Sequence, residues 1–485
     1  MDKETFATSS MWKMTEALIS KGITLAISAL LARLVLPESH GIITLTAVFI
    51  NFSIMLCQSG LGAALVRKEN IEDVDYNNAF FMSLAIAAAC YTVFFFAAPY
   101  IADFYNEPIL TSVLRVQMLG LFLVSIGIVN GAIITRSFRF KDACIAGIIS
   151  NAAGGLCGVI MAYAHWGVWA LVFYTLLRDG IGSFVTFLMV RWHPTLKIDF
   201  RKMKGILSFS IWLLVGGIFD FIGNNFSGTL IGKVYSMVDL GMYGKGMHIP
   251  EMIGLYTFGS ISGVMLPTFA NYQNDNEKLK SVMRRMVEMS MYILGPMMLG
   301  LALLADKIIP FLFGPGWEPA VPIMMLTCIY FTMNPLRITN AQLLYAVGDS
   351  RAVFILDTTR SAMIVIGDIL CANVFKLGIN YLAAVIPVVS VINAVMTQFM
   401  VRKYIGYKYS EWFMDMLPAL LLCAGMGVVV LAVGMIPLGN RYVLMFIQVI
   451  AGVAAYIGLS ALTKNRSYGD ILEILKNKLS RRRNG

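Results

Sequence analysis

Charge is scarce in this sequence. Asp, Glu, Lys and Arg together make up 14% of its 485 residues, against roughly 25% in an ordinary soluble domain. That shortage excludes a soluble globular surface, and an apolar share of 58% excludes a disordered chain. Histidine is rarer still. His40, His165, His193 and His248 are scattered and share no metal-ligand spacing with Cys or Asp. The cysteines, at 57, 90, 144, 157, 328, 371 and 423, fall inside apolar runs without a CxxC pair. They read as small core residues rather than a disulfide frame or metal site. Long polar loops are missing as well. The longest connections, near 192–204 and 271–285, leave no room for an extracytoplasmic catalytic domain. A signal-peptide pattern is not evident, because Met1–Ser10 is polar and the first apolar stretch carries Glu16 and Lys21. ATPase signatures are lacking too: Gly228-Thr-Leu-Ile-Gly232-Lys233 is one residue short of a phosphate loop and lies in an apolar run.

What is present is hydrocarbon. At roughly 20 apolar residues per bilayer-spanning helix, the apolar content supplies up to about fourteen spans, and mean hydropathy is +0.73. A β-barrel would alternate apolar and polar residues over about ten positions. Unbroken runs such as Leu417–Ile436 and Val443–Leu462 point to helices instead. The chain is thus expected to be an all-α polytopic membrane protein. Its spans are read at 11–36, 40–66, 78–102, 109–135, 142–164, 167–191, 205–234, 241–270, 286–313, 320–346, 350–375, 378–402, 412–436 and 442–463. Of the 38 Lys and Arg, 27 fall on the termini and one alternating set of connections, five on the other set and six inside spans. Cytoplasmic loops collect such residues, so both termini are expected in the cytoplasm. The same rule accounts for a net charge of +10 and a pI near 9.2 without invoking nucleic acid.

The chain repeats itself weakly. Pro37-Glu-Ser-His-Gly41 and Met237-Val-Asp-Leu-Gly241 both lead into the second span of a half. Asp103-Phe-Tyr-Asn-Glu107-Pro108 corresponds in position to Phe311-Leu-Phe-Gly-Pro-Gly-Trp-Glu318-Pro319. These offsets suit a six-plus-six duplication, as in secondary transporters. The expected lobes are 1–204 and 205–404, with two further spans in 405–463 and a basic cytoplasmic tail at 464–485. In that tail Ile471, Leu472, Leu475 and Leu479 have helical spacing beside Lys476, Lys478 and Arg481–Arg483. This reads as an amphipathic helix attracted to the anionic lipids of the inner leaflet.

With no enzyme motif found, the ionisable residues inside spans are the candidates for function. A charge at the bilayer centre costs at least about 2.5 kcal/mol on insertion scales and usually faces a partner or a wet cavity. Arg33 lies near a span end and can snorkel. Asp357 and Arg360, three apart on one helix face, suit local pairing. Lys21, Arg178 and Arg337 lie mid-span and are candidate cavity cations, with Lys245 and Arg360 added to the set. Several fixed cations favour an anionic ligand, phosphate or pyrophosphate first. Glu16, Asp220 and Asp368 are the candidates for proton or sodium coupling; no other cofactor and no metal is expected.

Several short stretches resemble a known family. They are Gly41-Ile-Ile and Gly60-Leu-Gly-Ala-Ala-Leu-Val-Arg67-Lys68 in the first half. The second half adds Asp239-Leu-Gly241-Met-Tyr243, Val264-Met-Leu-Pro267, Phe313-Gly-Pro-Gly-Trp317 and Gly348-Asp-Ser-Arg351. With fourteen spans in two halves, the chain resembles the Wzx-type polysaccharide flippases of the multidrug/oligosaccharidyl-lipid/polysaccharide exporter superfamily. The resemblance implies two six-helix lobes in a V-shaped bundle around a central cavity, in the bacterial inner membrane. It implies transfer of an undecaprenyl-pyrophosphate-linked oligosaccharide between leaflets for O-antigen, capsule or exopolysaccharide, with polysaccharide polymerase machinery as a partner. Gating by the first and eighth spans in such proteins would put Lys21 and Lys245 near the pyrophosphate. A multidrug-type small-molecule exporter is the alternative, disfavoured for cationic drugs by the positive cavity. A membrane glycosyltransferase or polymerase comes third, and a scaffold role is disfavoured by the cost of the buried charges.

Overall fold

A segment surrounded by hydrocarbon must satisfy its own peptide groups, and an unbroken apolar run does so as a helix. The computed structural model describes residues 3–58, 61, 62, 65, 71–137, 139–197, 199, 217, 218 and 221–473, with side chains from residue 19 onward except at 260, 261 and 264. No strand occurs among them. The first half holds α1 (Lys3–Leu34), α2 (Pro37–Gln58), α3 (Asp73–Tyr105), α4 (Ile109–Gln117), α5 (Gly120–Arg136), α6 (Phe140–Tyr163) and α7 (Val168–Val190). Residues 221–234 form α8. Then follow α9 (Met237–Asn271), α10 (Asn276–Leu303), α11 (Ala305–Phe313), α12 (Ala320–Ala346), α13 (Ser350–Ile369), α14 (Ile379–Ile405), α15 (Tyr409–Gly434) and α16 (Arg441–Leu462).

Ten helices among the described residues are long and apolar enough to cross a membrane: α2, α3, α4 with α5, α6, α7, α10, α12, α14, α15 and α16. The expected spans at 11–36, 241–270 and 350–375 correspond to α1, α9 and α13, which are helical but not among the ten. In α13, Arg351, Asp357, Arg360 and Asp368 dilute the apolar character of the helix; α1 carries Lys21, and α9 carries Lys245 and Glu251 in its first half. The expected span at 205–234 lies partly outside the described residues, as does the tail from residue 474. All seven cysteines are free, and five of them are buried.

Helix ends follow capping chemistry. At the start of α3 the Glu72 amide donates to the Asp75 carboxylate at 2.9 Å. Asp275 and Asp349 cap α10 and α13 by accepting from Lys278 N and Ala352 N, which satisfies donors a helix start leaves open. Asn106, in the left-handed region at φ 55°, closes α3.

The helices gather into two compact units, Met1–Gly244 and Lys245–Gly485. In the first, α6 is a seam of small residues. A Cβ on Gly155 would stand 2.0 Å from Ile27 Cδ1, and one on Gly154 2.8 Å from the Arg178 amide nitrogen. Glycine at these positions lets α1 and α7 press onto α6 from two sides. Ile27, Leu31, Val35, Ala162, Ala170, Leu171 and Tyr174 fill the resulting core. The two turns matched by the sequence repeat meet within this unit. A Cβ on Gly41 would lie 1.8 Å from the Met237 carbonyl oxygen, and one on Gly241 2.2 Å from that of Pro37. Each glycine thus opposes the first residue of the other's helix, the reciprocal pattern a local two-fold produces. The connection after α7 is pinned to α3. The Asn77 amide brackets Thr195 at 2.7 and 2.9 Å, and the Asn78 amide brackets the Asp199 backbone at 3.0 Å on both sides.

In the second unit α9 and α12 run side by side in the same direction. Gly246 opposes Ile323 and Gly254 opposes Phe331, each too close for a Cβ. Ala341, Leu344, Ala352, Val353 and Leu356 join α12 to α13. The Asn340 amide donates to Thr397 Oγ1 at 3.0 Å, tying α12 to α14. Arg284 donates to both carboxylate oxygens of Asp415, at 2.8 and 2.6 Å, tying α10 to α15.

Candidate functional site

The first unit contains a cavity of about 800 Å³. Four elements supply it: the end of α2, the second half of α5, the first half of α6 and the second half of α7. It therefore lies toward the ends of these helices that adjoin the basic connections 67–77, 136–141 and 191–204. Gly127, Gly131 and Gly182 line it; a Cβ on Gly131 would enter open space, whereas one on Gly127 would meet Ser183 Oγ at 3.3 Å and one on Gly182 Ser150 at 3.4 Å.

Arg178 and Asp179 stand on its wall. Their neighbouring positions on α7 form a salt bridge, with Arg178 Nη2 and Nε at 2.8 and 2.9 Å from Asp179 Oδ1. Arg178 also lies 5.7 Å from the Tyr174 ring centroid. The pair is reachable, with side chains 35% and 31% exposed. Ser183 and Thr186 continue the polar face of α7 at helical spacing, and Gln58 and Asn151 face them from other helices. Asn151 is fixed by α1: its amide donates to Ser20 Oγ at 2.9 Å, and its oxygen accepts from Thr24 Oγ1 at 3.0 Å.

The sequence-expected cations are distributed unevenly. Lys21 is half-buried on the turn of α1 that Ser20 and Thr24 dock onto Asn151, beside the cavity wall. Arg178 lines the cavity itself. The others belong to the second unit. Arg337 donates to Asp357 Oδ1 at 2.7 Å and to Asn334 Oδ1 at 3.2 Å, bridging α12 to α13. Asp357 is thus taken by a cation on the neighbouring helix, whereas the spacing on α13 alone pointed to Arg360. Arg360 is 2% exposed and Asp368 fully buried, both on α13. Lys245 lies 5.2 Å from the Phe313 ring centroid, next to the turn that precedes α12. Since Gly246 is level with Ile323, Arg337 is roughly 21 Å further along at about 1.5 Å per residue. Lys245 and Arg337 therefore do not share one ligand contact. The side chain of Glu16, and Asp220 altogether, lie outside the described residues.

Charge alone does not mark Gln58, Asn151, Ser183 and Thr186. The spacing of Asp179, Ser183 and Thr186 on one face of an apolar span is the signal that marks them. Asn151 has no such pattern, since its role depends on α1 docking beside it.

Residues 30–322 match the family described as polysaccharide biosynthesis protein. The teichuronic acid biosynthesis protein TuaB of Bacillus subtilis (strain 168) is 23% identical over 386 residues, 79% of this chain and 80% of TuaB. The lipopolysaccharide biosynthesis protein WzxC of Escherichia coli (strain K12) is 21% identical over 445 residues, 88% of each chain. Among solved structures, the lipid II flippase MurJ in an inward closed conformation superposes with a TM-score of 0.73 at 14% identity, covering 96% of this chain and 100% of MurJ. An inward-facing multidrug resistance MATE family transporter of the MOP superfamily reaches 0.66 at 13% identity, covering 82% of this chain and 98% of its own. The fold is that of MurJ and the MATE transporters. With the family match spanning more than half its length, this chain belongs to the polysaccharide biosynthesis protein family.

Proposed function

We propose that the protein is a secondary-active flippase, which moves an undecaprenyl-pyrophosphate-linked oligosaccharide from the cytoplasmic to the periplasmic leaflet of the bacterial inner membrane. The transferred oligosaccharide serves O-antigen, capsule or exopolysaccharide assembly, and a polysaccharide polymerase takes it up on the far side. One combined observation carries the reading: membership of the polysaccharide biosynthesis family in a chain that shares the fold of a lipid II flippase over nearly its whole length. Both termini lie in the cytoplasm, as the 27-to-5 bias of Lys and Arg requires.

The physical task is set by the substrate. A polyprenyl tail is at home in hydrocarbon and needs no protein. The head does not cross unaided, because each polar group left unsatisfied in lipid costs several kcal/mol. The protein lowers that cost by offering hydrogen-bonding groups in a wet cavity, and the charges on α1, α7, α9, α12 and α13 are the places where its spans tolerate polarity. Lys21, Arg178, Lys245, Arg337 and Arg360 serve the anionic joint in this reading. Glu16, Asp220 and Asp368 serve coupling to a proton or sodium gradient.

Deletion of the gene tests the proposal. The expected result is loss of one surface polysaccharide and accumulation of its lipid-linked oligosaccharide on the inner face of the membrane. Accumulation of incomplete oligosaccharides instead would identify a glycosyltransferase, and an unchanged glycan profile would discard the proposal.

A further inference from the structure

The cavity of the first unit has a hydrogen-bonding character at odds with phosphate. Among the described residues that line it, the one cation, Arg178, spends Nε and Nη2 on Asp179, so the pair brings no net charge. Its hydroxyls already donate elsewhere: Ser183 Oγ to the Leu123 carbonyl at 2.7 Å, and Thr186 Oγ1 to the Gly182 and Ser183 carbonyls at 2.9 Å. A hydroxyl that donates keeps two lone pairs for accepting. The Asn151 amide nitrogen likewise donates to Ser20 and Gly147, and its oxygen, which accepts from Thr24 Oγ1, keeps a second lone pair for accepting. The wall therefore presents mostly acceptors. A phosphate has only acceptors to offer in return, whereas a sugar brings a hydroxyl donor at nearly every carbon. The volume of about 800 Å³ lies within the roughly 300–1,000 Å³ of small-molecule sites.

We propose that this cavity is the carbohydrate subsite, taking the neutral, hydroxyl-rich head of a lipid-linked oligosaccharide through Gln58, Asn151, Ser183, Thr186 and the Arg178–Asp179 pair. The inference rests on the flippase reading and refines it. The sugar is held by acceptors in the first unit, and the diphosphate is held by cations elsewhere. Arg178 changes role accordingly, from phosphate ligand to a member of a bidentate polar pair that matches adjacent sugar hydroxyls.

Gly131 offers a direct way to fill the site. It lines the cavity, and a Cβ built there meets nothing within 4 Å. A leucine at this position projects into open space and improves the helix propensity of α5. The test uses the full-length protein in nanodiscs and two probes. One is the lipid-linked oligosaccharide purified from membranes of the deletion strain; the other is polyprenyl diphosphate without sugar. The wild type is expected to bind the glycosylated lipid about tenfold or more tightly than the bare diphosphate, as several hydrogen bonds of about 1 kcal/mol each would give. Gly131→Leu and, separately, the double variant Ser183→Ala/Thr186→Val should bring the glycosylated lipid down to the affinity of the bare one, which stays within about twofold of wild type. Circular dichroism verifies that each variant is folded, and the double variant answers for Gly131→Leu if that one is not. Equal weakening of both probes, or no weakening of either, overturns the subsite while leaving the flippase reading intact. A wild type that binds neither probe, or a deletion strain that accumulates no such lipid, overturns both.

Discussion

The two units treat intramembrane charge in opposite ways. In the first, Arg178 and Asp179 are neighbours in sequence, pair on one helix, and stay about one-third exposed on a cavity wall. In the second, Arg337 reaches across to Asp357 on another helix with only 16% of its side chain exposed, and Arg360 one turn away is 2% exposed. A pair made within one helix fixes nothing else in place and remains available to a ligand. A pair made between helices holds those helices together, and its hydrogen bonds are committed to the fold. The cost of a charge in lipid is met in both units, by access to a wet space in one and by cross-linking in the other.

One glycine from each unit meets a different kind of neighbour, and this contrast yields the largest expected effect. Gly41 faces a backbone oxygen, at 1.8 Å from a would-be Cβ, whereas the nearest neighbour of Gly254 is the Phe331 ring, at 2.4 Å. A side chain can give by turning about χ1, although Phe331 Cγ at 2.8 Å must move as well as the ring edge; a carbonyl held in a helix cannot. Gly41→Ala should therefore cost about 3 kcal/mol or more, at or above the top of the usual overpacking range. The expected outcome is little folded protein in membranes by quantitative blotting, with Gly254→Ala reduced less than Gly41→Ala. Equal amounts of the two variants would show that the α2–α9 contact yields as easily as a side chain.

Next comes the inter-helix pair. Arg337→Ala leaves Asp357 without its partner from α12. Breaking a buried pair costs roughly 3–5 kcal/mol, and the 30% exposure of Asp357 brings the expectation to about 2–3 kcal/mol. Thermal unfolding in detergent should show a lowered midpoint, and Arg337→Ala/Asp357→Ala should recover part of it, since removing both charges leaves neither stranded. A double variant that is additive would dissolve the contrast between the units.

These particulars show what the sequence made legible. The helices were readable because long apolar runs admit one backbone solution in lipid, and the more polar α13 stood out through the charges it carries. The residues of the Arg178–Asp179 pair were visible as neighbours on one span. The partner of Arg337 was not, because it depends on the register of α12 against α13, which local spacing does not encode. The cavity was illegible for a related reason. Gly131 is one of 42 glycines, and only the packing of α5, α6 and α7 separates it, bordering open space, from those that, like Gly154 and Gly155, seat another helix.

Variants in the first unit should separate function from stability. Arg178→Ala removes a partly exposed pair worth about 0–1 kcal/mol, so the amount of protein in the membrane should stay near wild type. Export of the polysaccharide, read by surface glycan staining, should fall severalfold. Lys21→Ala, on the turn beside Asn151, should behave in the same way with a smaller loss. Wild-type export in both would remove these residues from the site, and a fall in protein amount matching Arg337→Ala would make the units alike.

The smallest effect is expected at Lys245. The Phe313 ring lies 5.2 Å from its ammonium, and such a contact contributes about 0.5–1 kcal/mol where the cation is accessible to water, more where it is not. Its place near the turn before α12, roughly 21 Å from Arg337 by helix rise, separates it from the layer where α12 and α13 exchange charges. Lys245→Met keeps the length of the side chain and its packing on Phe313 while deleting the charge. It should lower the unfolding midpoint less than Arg337→Ala and reduce export less than Arg178→Ala. An export defect as deep as that of Arg178→Ala with an unchanged midpoint would assign Lys245 to the substrate's anionic joint. The second unit would then hold both kinds of charge, set apart by depth along α9 and α12.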